Sequence, residues 1–101
     1  MSKPVKLSEG ELSRKLSNLP DWKVKRGKLH REYVFADFVA AFGFMTSAAL
    51  VAQAMDHHPD WMNVWNKVTI DLVTHDAKGI TLLDVQLAKS MEELARRQLM
   101  K

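Results

Sequence analysis

The 101-residue chain reads as an α+β protein, with helices packed on one side of a sheet. Three observations predict this. Apolar residues recur at spacings of three and four in three separate segments, which is helical periodicity. Between those segments, residues 22–35 and 61–75 are rich in β-branched and aromatic residues of alternating polarity. The alternation leaves one sheet face apolar and the other largely polar, so helices need cover only one side. The element order is α-β-β-α-β-(β)-α, in one domain spanning residues 1–101.

The first helix is expected over residues 8–18. Ser8 and Glu11 have capping-box spacing, and Leu7 with Leu12 fits the hydrophobic staple. Asn18-Leu19-Pro20-Asp21 breaks it. Strands follow around Trp22–Lys25 and Leu29–Phe35, with Gly27 where a hairpin turn needs a permissive backbone. Leu29, Tyr33 and Phe35 mark the apolar face of the second strand. Asp37 is a suitable N-cap for a helix over 37–56, whose core-facing stripe is expected to be Phe38, Phe42, Met45, Ala49, Ala52 and Met55.

Residues 61–75 are strand-like, divided near Asn66-Lys67. Val64, Val68, Ile70 and Leu72 share one parity. Trp65, Lys67, Thr69, Asp71, Val73 and His75 share the other. A turn at Asp76-Ala77-Lys78-Gly79 leads to the last helix, where Thr81 and Asp84 resemble a capping box. Val85, Ala88, Met91, Leu94 or Ala95, and Gln98 trace its inner face.

Composition narrows the function classes. Apolar residues at 47% and charged residues at 27% fit a globular chain rather than a disordered one. No apolar run approaches the ~20 residues of a membrane span, and the start MSKPVKLSEGEL lacks a signal-peptide core. The absence of cysteine excludes disulfides, thiolate nucleophiles and Cys-type zinc sites. A cytoplasmic protein with no membrane partner is expected. The net charge is +3, but the densest basic cluster, Lys23, Lys25, Arg26, Lys28 and Arg31, straddles the first hairpin turn. A solvated tip explains it better than nucleic acid does.

The stretch AMDHHPDWMNVW, residues 54–65, concentrates the polar chemistry. Pro59 disfavours helical geometry at His58, so the helix should end around Asp56 or His57. His57 then sits at a helix C-terminus beside Asp56 and Asp60, surroundings in which an imidazole can serve as acid or base. His75 ends the long strand, from where it could return to the same corner. Three readings stand at this point: a solvated helix-end loop, an acid/base pair, and a metal site. Zinc fits worst, because adjacent histidines rarely aim both rings at one ion and no i, i+4 histidine pair exists. Trp61 and Trp65 fit a core or subunit contact. Asp84 is accounted for by helix capping. His30, with no acidic or histidine cluster nearby in sequence, reads as structural.

Residues 41–84 closely resemble the pterin-4a-carbinolamine dehydratase family. Asp56-His57-His58-Pro59, the aromatic Trp65, Asn66-Lys67-Val68, Thr74-His75 and Asp84 carry the resemblance, which extends from Phe35–Asp37 into the final helix. It implies three helices on one face of a four-stranded antiparallel sheet, order α-β-β-α-β-β-α, in homodimers or homotetramers. It also implies dehydration of a 4a-hydroxytetrahydropterin to the quinonoid dihydropterin in tetrahydrobiopterin recycling, downstream of an aromatic amino acid hydroxylase, without metal or other cofactor.

Carried onto this chain, the resemblance implies His57 and His75 as acid/base residues and His58 as the principal histidine for holding substrate. Asp56, Val73, Thr74 and Asp76 would line the pterin pocket, and Asp84 would support it. One position departs from the family pattern. Four residues before His57 the family commonly has an acid, and here it is Gln53, which can hydrogen-bond but adds no charge. Two other functions are compatible with the resemblance: a non-catalytic dimerisation cofactor for a transcription factor, and a pterin-binding accessory protein of another pathway.

Overall fold

The computed structural model describes residues 3–99. Helix α1, Glu9–Lys15, begins at a complete capping box. Ser8 Oγ accepts from the Glu11 N–H at 3.2 Å, and the Glu11 carboxylate accepts from the Ser8 N–H at 3.0 Å. Two of the donors that a helix start leaves orphaned are thereby satisfied. A tighter 3-10 turn, Leu16–Asn18, replaces the last turn of the expected helix. Leu7, Leu12 and Leu16 lie against the core.

Strands β1, Lys23–Lys25, and β2, Lys28–Val34, form a hairpin whose two turn residues, Arg26 and Gly27, both have positive φ (55° and 75°). That is the backbone a two-residue turn needs to match strand twist. Strands β3, Asp60–Val64, and β4, Lys67–Leu72, form a second hairpin around Trp65-Asn66, with Trp65 at φ 51°. The sheet order is β1-β2-β4-β3, with every neighbour antiparallel. The chain order α-β-β-α-β-β-α is therefore as expected, with the strand-like stretch divided at Trp65-Asn66 into β3 and β4.

Leu29, Tyr33, Val68, Ile70 and Leu72 are buried on the inner sheet face. Helices α2, Phe38–Met55, and α3, Leu82–Leu99, cover it. The Phe44 ring on α2 lies 5.2 Å from both Tyr33 and Phe35. On α3, Val85, Ala88, Met91 and Ala95 are buried as the periodicity predicts, and Leu87 joins them.

The structure corrects the expected stripe of α2. Ala52 is buried as expected, and Met45 and Met55 pack against the core. The other inward positions are Ala41, Phe44 and Ala48, while Phe38 and Phe42 are half-exposed at 50% and 55%. Both sets recur at spacings of three and four, so periodicity could not separate them on a helix with apolar residues all round. Inward alanines let α2 lie close to the sheet around the Phe44 ring, and the Phe38 and Phe42 rings point away. The expectation that no apolar run nears spanning length also needs amending. The 18 residues of α2 carry no charged side chain and are long and apolar enough to cross a membrane; here the helix packs along the sheet.

Two smaller corrections come from the sheet. The turn at Trp65-Asn66 resets the alternation, so Val64 pairs with Lys67 and is 60% exposed rather than sharing the buried face of Val68. His30 does have an acidic neighbour. The β2–β4 register sets it opposite Asp71, with His30 Nδ1 2.8 Å from Asp71 Oδ1.

One polar node ties α3 to the sheet. Glu92 Oε1 accepts from Trp22 Nε1–H at 3.0 Å and from the Tyr33 hydroxyl at 2.5 Å. Burial, and then the carboxylate that its proton serves, push the Tyr33 hydroxyl well above the usual phenol range.

Candidate active site

Helix α2 ends at Met55, four residues before Pro59. Asp56 caps it in the left-handed conformation (φ 52°, ψ 42°), which a short polar side chain tolerates better than most. The His57 N–H then donates to Ala52 O at 3.0 Å, five residues back, closing the helix end. This turn sends the chain away from the helix axis and gives the two histidines different surroundings. His57 is buried, at 9% exposure, and His58 faces solvent.

His75 reaches the same corner by a route the strand pattern did not predict. Strand β4 ends at Leu72, so Val73, Thr74 and His75 lie outside it and the parity argument does not govern them. His75–Ala77 form a 3-10 turn closed by the left-handed Lys78. Thr74 and Gly79 bridge the turn: the Thr74 N–H donates to Gly79 O at 3.0 Å. The tight closure lifts His75 and Asp76 to the surface.

Asp56, His57, His58, Val73, Thr74, His75 and Asp76 line one cleft of about 300 Å³. Of the site residues implied by the resemblance, only Asp84 is outside its wall. It lies behind the cleft at 0% exposure, in the first turn of α3. Asp84 Oδ1 is 2.5 Å from His57 Nε2. Asp84 Oδ2 accepts from the Thr81 N–H at 2.9 Å and the Thr74 hydroxyl at 2.8 Å. The expected capping box is thus half made: Asp84 reaches back to Thr81, while the Thr81 hydroxyl accepts from the Leu83 N–H at 3.2 Å. Capping and support of His57 are one arrangement. A ring whose Nε2 serves Asp84 has Nδ1 as its remaining nitrogen for hydrogen bonding.

Gln53 contacts His58 and not His57: its Oε1 is 2.9 Å from His58 Nε2. The departure from the family pattern therefore bears on the outer histidine. Trp65 is 65% exposed at its turn, and Trp61 packs partly against the core; neither lines the cleft. Among the described residues, no group of three or more His, Asp or Glu side chains is placed to hold a metal ion. Thr81 is the participant that sequence reasoning passed over, having read it as a cap alone.

Residues 5–94 match the model of the family described as pterin 4 alpha carbinolamine dehydratase. The chain belongs to that family. Its relatives include a provisionally named pterin-4-alpha-carbinolamine dehydratase from Solibacter usitatus, 61% identical over 91 residues, 90% of this chain and 96% of that one. Another, with the same provisional name, comes from a Synechococcus strain and is 56% identical over 80 residues, covering 78% of this chain and 86% of its own. Among solved structures, a transcriptional coactivator/pterin dehydratase from Brucella melitensis superposes with a TM-score of 0.85 at 41% identity, covering 89% of this chain and 98% of that one. The pterin dehydratase resemblance read from Asp56-His57-His58-Pro59 and its companions is therefore shared along nearly the whole chain.

Proposed function

We propose that the protein is a 4a-hydroxytetrahydropterin dehydratase, acting through His57, His58 and His75. The observation that carries this reading is the meeting of the three histidines in one cleft, within a chain of the pterin dehydratase family. The reaction breaks the C4a–O bond, and the electron pair leaves with oxygen. A ring N–H gives up its proton as its electron pair forms the new C=N bond. Water is lost and nothing is oxidised or reduced.

Hydroxide leaves poorly, so one group must protonate the oxygen as it departs and another must take the ring proton. His57 and His75 supply that pair. His57 is buried and backed by a carboxylate, an arrangement that holds the ring in one orientation for proton transfer. His58 holds the pterin, and Asp56, Val73 and Asp76 shape the cleft. The reading extends to a cytoplasmic role in tetrahydrobiopterin recycling after an aromatic amino acid hydroxylase, with no cofactor of its own. It also extends to a homodimer or homotetramer, supported by the exposed Phe38, Val39 and Phe42 on a charge-free helix.

A stopped assay of 4a-hydroxytetrahydropterin decay tests the proposal. Wild type is expected to exceed spontaneous dehydration, and His57→Ala and His75→Ala each to lose on the order of 10²-fold in rate. A wild-type rate equal to the spontaneous one would overturn it. An alternative is a non-catalytic coactivator: the Brucella relative is described as a transcriptional coactivator, in its case beside pterin dehydratase. On that reading, His57→Ala leaves partner binding untouched and no dehydration is seen.

A further inference from the structure

The hydroxyl protons behind His57 run in one direction. Thr74 Oγ1 and Thr81 Oγ1 are 2.7 Å apart, and Thr74 also donates to Asp84 Oδ2. A hydroxyl has one proton to give. Since the Thr74 proton goes to Asp84, Thr81 is the donor between the two threonines. The Thr81 oxygen is in turn steadied by the Leu83 N–H. The chain runs from the Leu83 amide to Thr81, from Thr81 to Thr74, and from Thr74 to Asp84.

Its members are shielded from water: Thr81 and Asp84 are 0% exposed and Thr74 is 6%. Oδ2 already receives the Thr74 hydroxyl and the Thr81 amide, so the carboxylate offers Oδ1 to His57 as an acceptor. The His57 ring accordingly carries its hydrogen on Nε2.

We infer that Thr74 and Thr81 are positioning residues that orient Asp84 and thereby fix the tautomer of His57. Although Thr74 borders the cleft, its hydroxyl is engaged from behind and does not serve the pterin. The effect on rate rests on the dehydratase reading; the effect on the ring does not.

The test combines ring-nitrogen NMR of His57 in the free protein with steady-state kinetics, for Thr74→Val, Thr74→Ser, Thr81→Val and Thr81→Ser. Wild type is expected to show the Nε2–H form. Thr74→Val should mix in the Nδ1–H form and lower kcat about tenfold with KM nearly unchanged. Thr81→Val should act in the same direction but less, and both serine variants should restore the wild-type spectrum and rate. An amide spectrum checks folding; if Thr74→Val is unfolded, the Thr81→Val ring spectrum decides alone. A folded valine variant with an unaltered His57 spectrum overturns the inference. So does a Thr74→Val enzyme with raised KM and intact kcat, which would make Thr74 a substrate contact. If wild type has no dehydratase activity, that reading fails while the ring spectrum still judges this one.

Discussion

At the scale of single residues, the two adjacent histidines are neighbours in sequence and unlike in chemistry. His57 is buried against Asp84, and His58 is exposed against Gln53. An amide at position 53 orients the His58 ring without adding charge. Gln53→Glu would add that charge within hydrogen-bond reach and favour the imidazolium. The expected outcome is a changed His58 ring signal with the His57 signal unaltered, read by NMR of both rings. An equal response from both would show that the charge is not confined to His58. The motif made the cleft-lining residues legible, because their types and intervals are specific. It could not reveal the partner of Gln53, which depends on where the left-handed Asp56 turns the chain. Thr81 was equally hidden, since its hydroxyl meets Thr74 only after the 75–79 turn closes.

At the scale of elements, boundaries set by local chemistry were readable and orientations set by packing were not. Ser8-Glu11 and Asp37 cap their helices as their spacing implies. The inward face of α2 was misread because a helix with no charged residue gives periodicity nothing to exclude. Strand parity failed at Val64 for a related reason: a turn resets which side chains share a face. Long-range polar contacts are the least visible, and Glu92 is the clearest case. From α3 it accepts hydrogen bonds from Trp22, just before β1, and Tyr33 in β2. Glu92→Ala leaves both donors without their acceptor and should cost roughly 2 kcal/mol of stability. Glu92→Gln retains one acceptor oxygen and should cost less. Urea unfolding measures both; equal losses would mean that packing of the side chain, and not its acceptor, supplies the stabilisation.

At the scale of the whole molecule, the outer face of α2 and the alkaline stability of the fold can each be tested with one substitution. Phe42 is 55% exposed and its ring packs on Phe38 at 5.9 Å, away from the core cluster. If this face joins copies of the chain, Phe42→Glu should lower the mass seen by light scattering while the unfolding midpoint holds. An unchanged mass would move the contact elsewhere. Alkaline stability turns on Tyr33, the chain's single tyrosine, whose hydroxyl is raised from an ordinary value of 10.0 by burial first and Glu92 second. Below about pH 10 the folded and unfolded states both hold the proton, and the stabilisation from this group is fully present. Above it the unfolded chain releases the proton and the folded one does not, so unfolding becomes favoured by about 1.4 kcal/mol per pH unit. With one tyrosine, the ultraviolet absorbance of tyrosinate reports this group alone. It should appear together with the loss of helical circular dichroism, and Tyr33→Phe should flatten the alkaline fall in stability. Tyrosinate rising near pH 10 in a fully folded protein would show that neither burial nor Glu92 holds the proton.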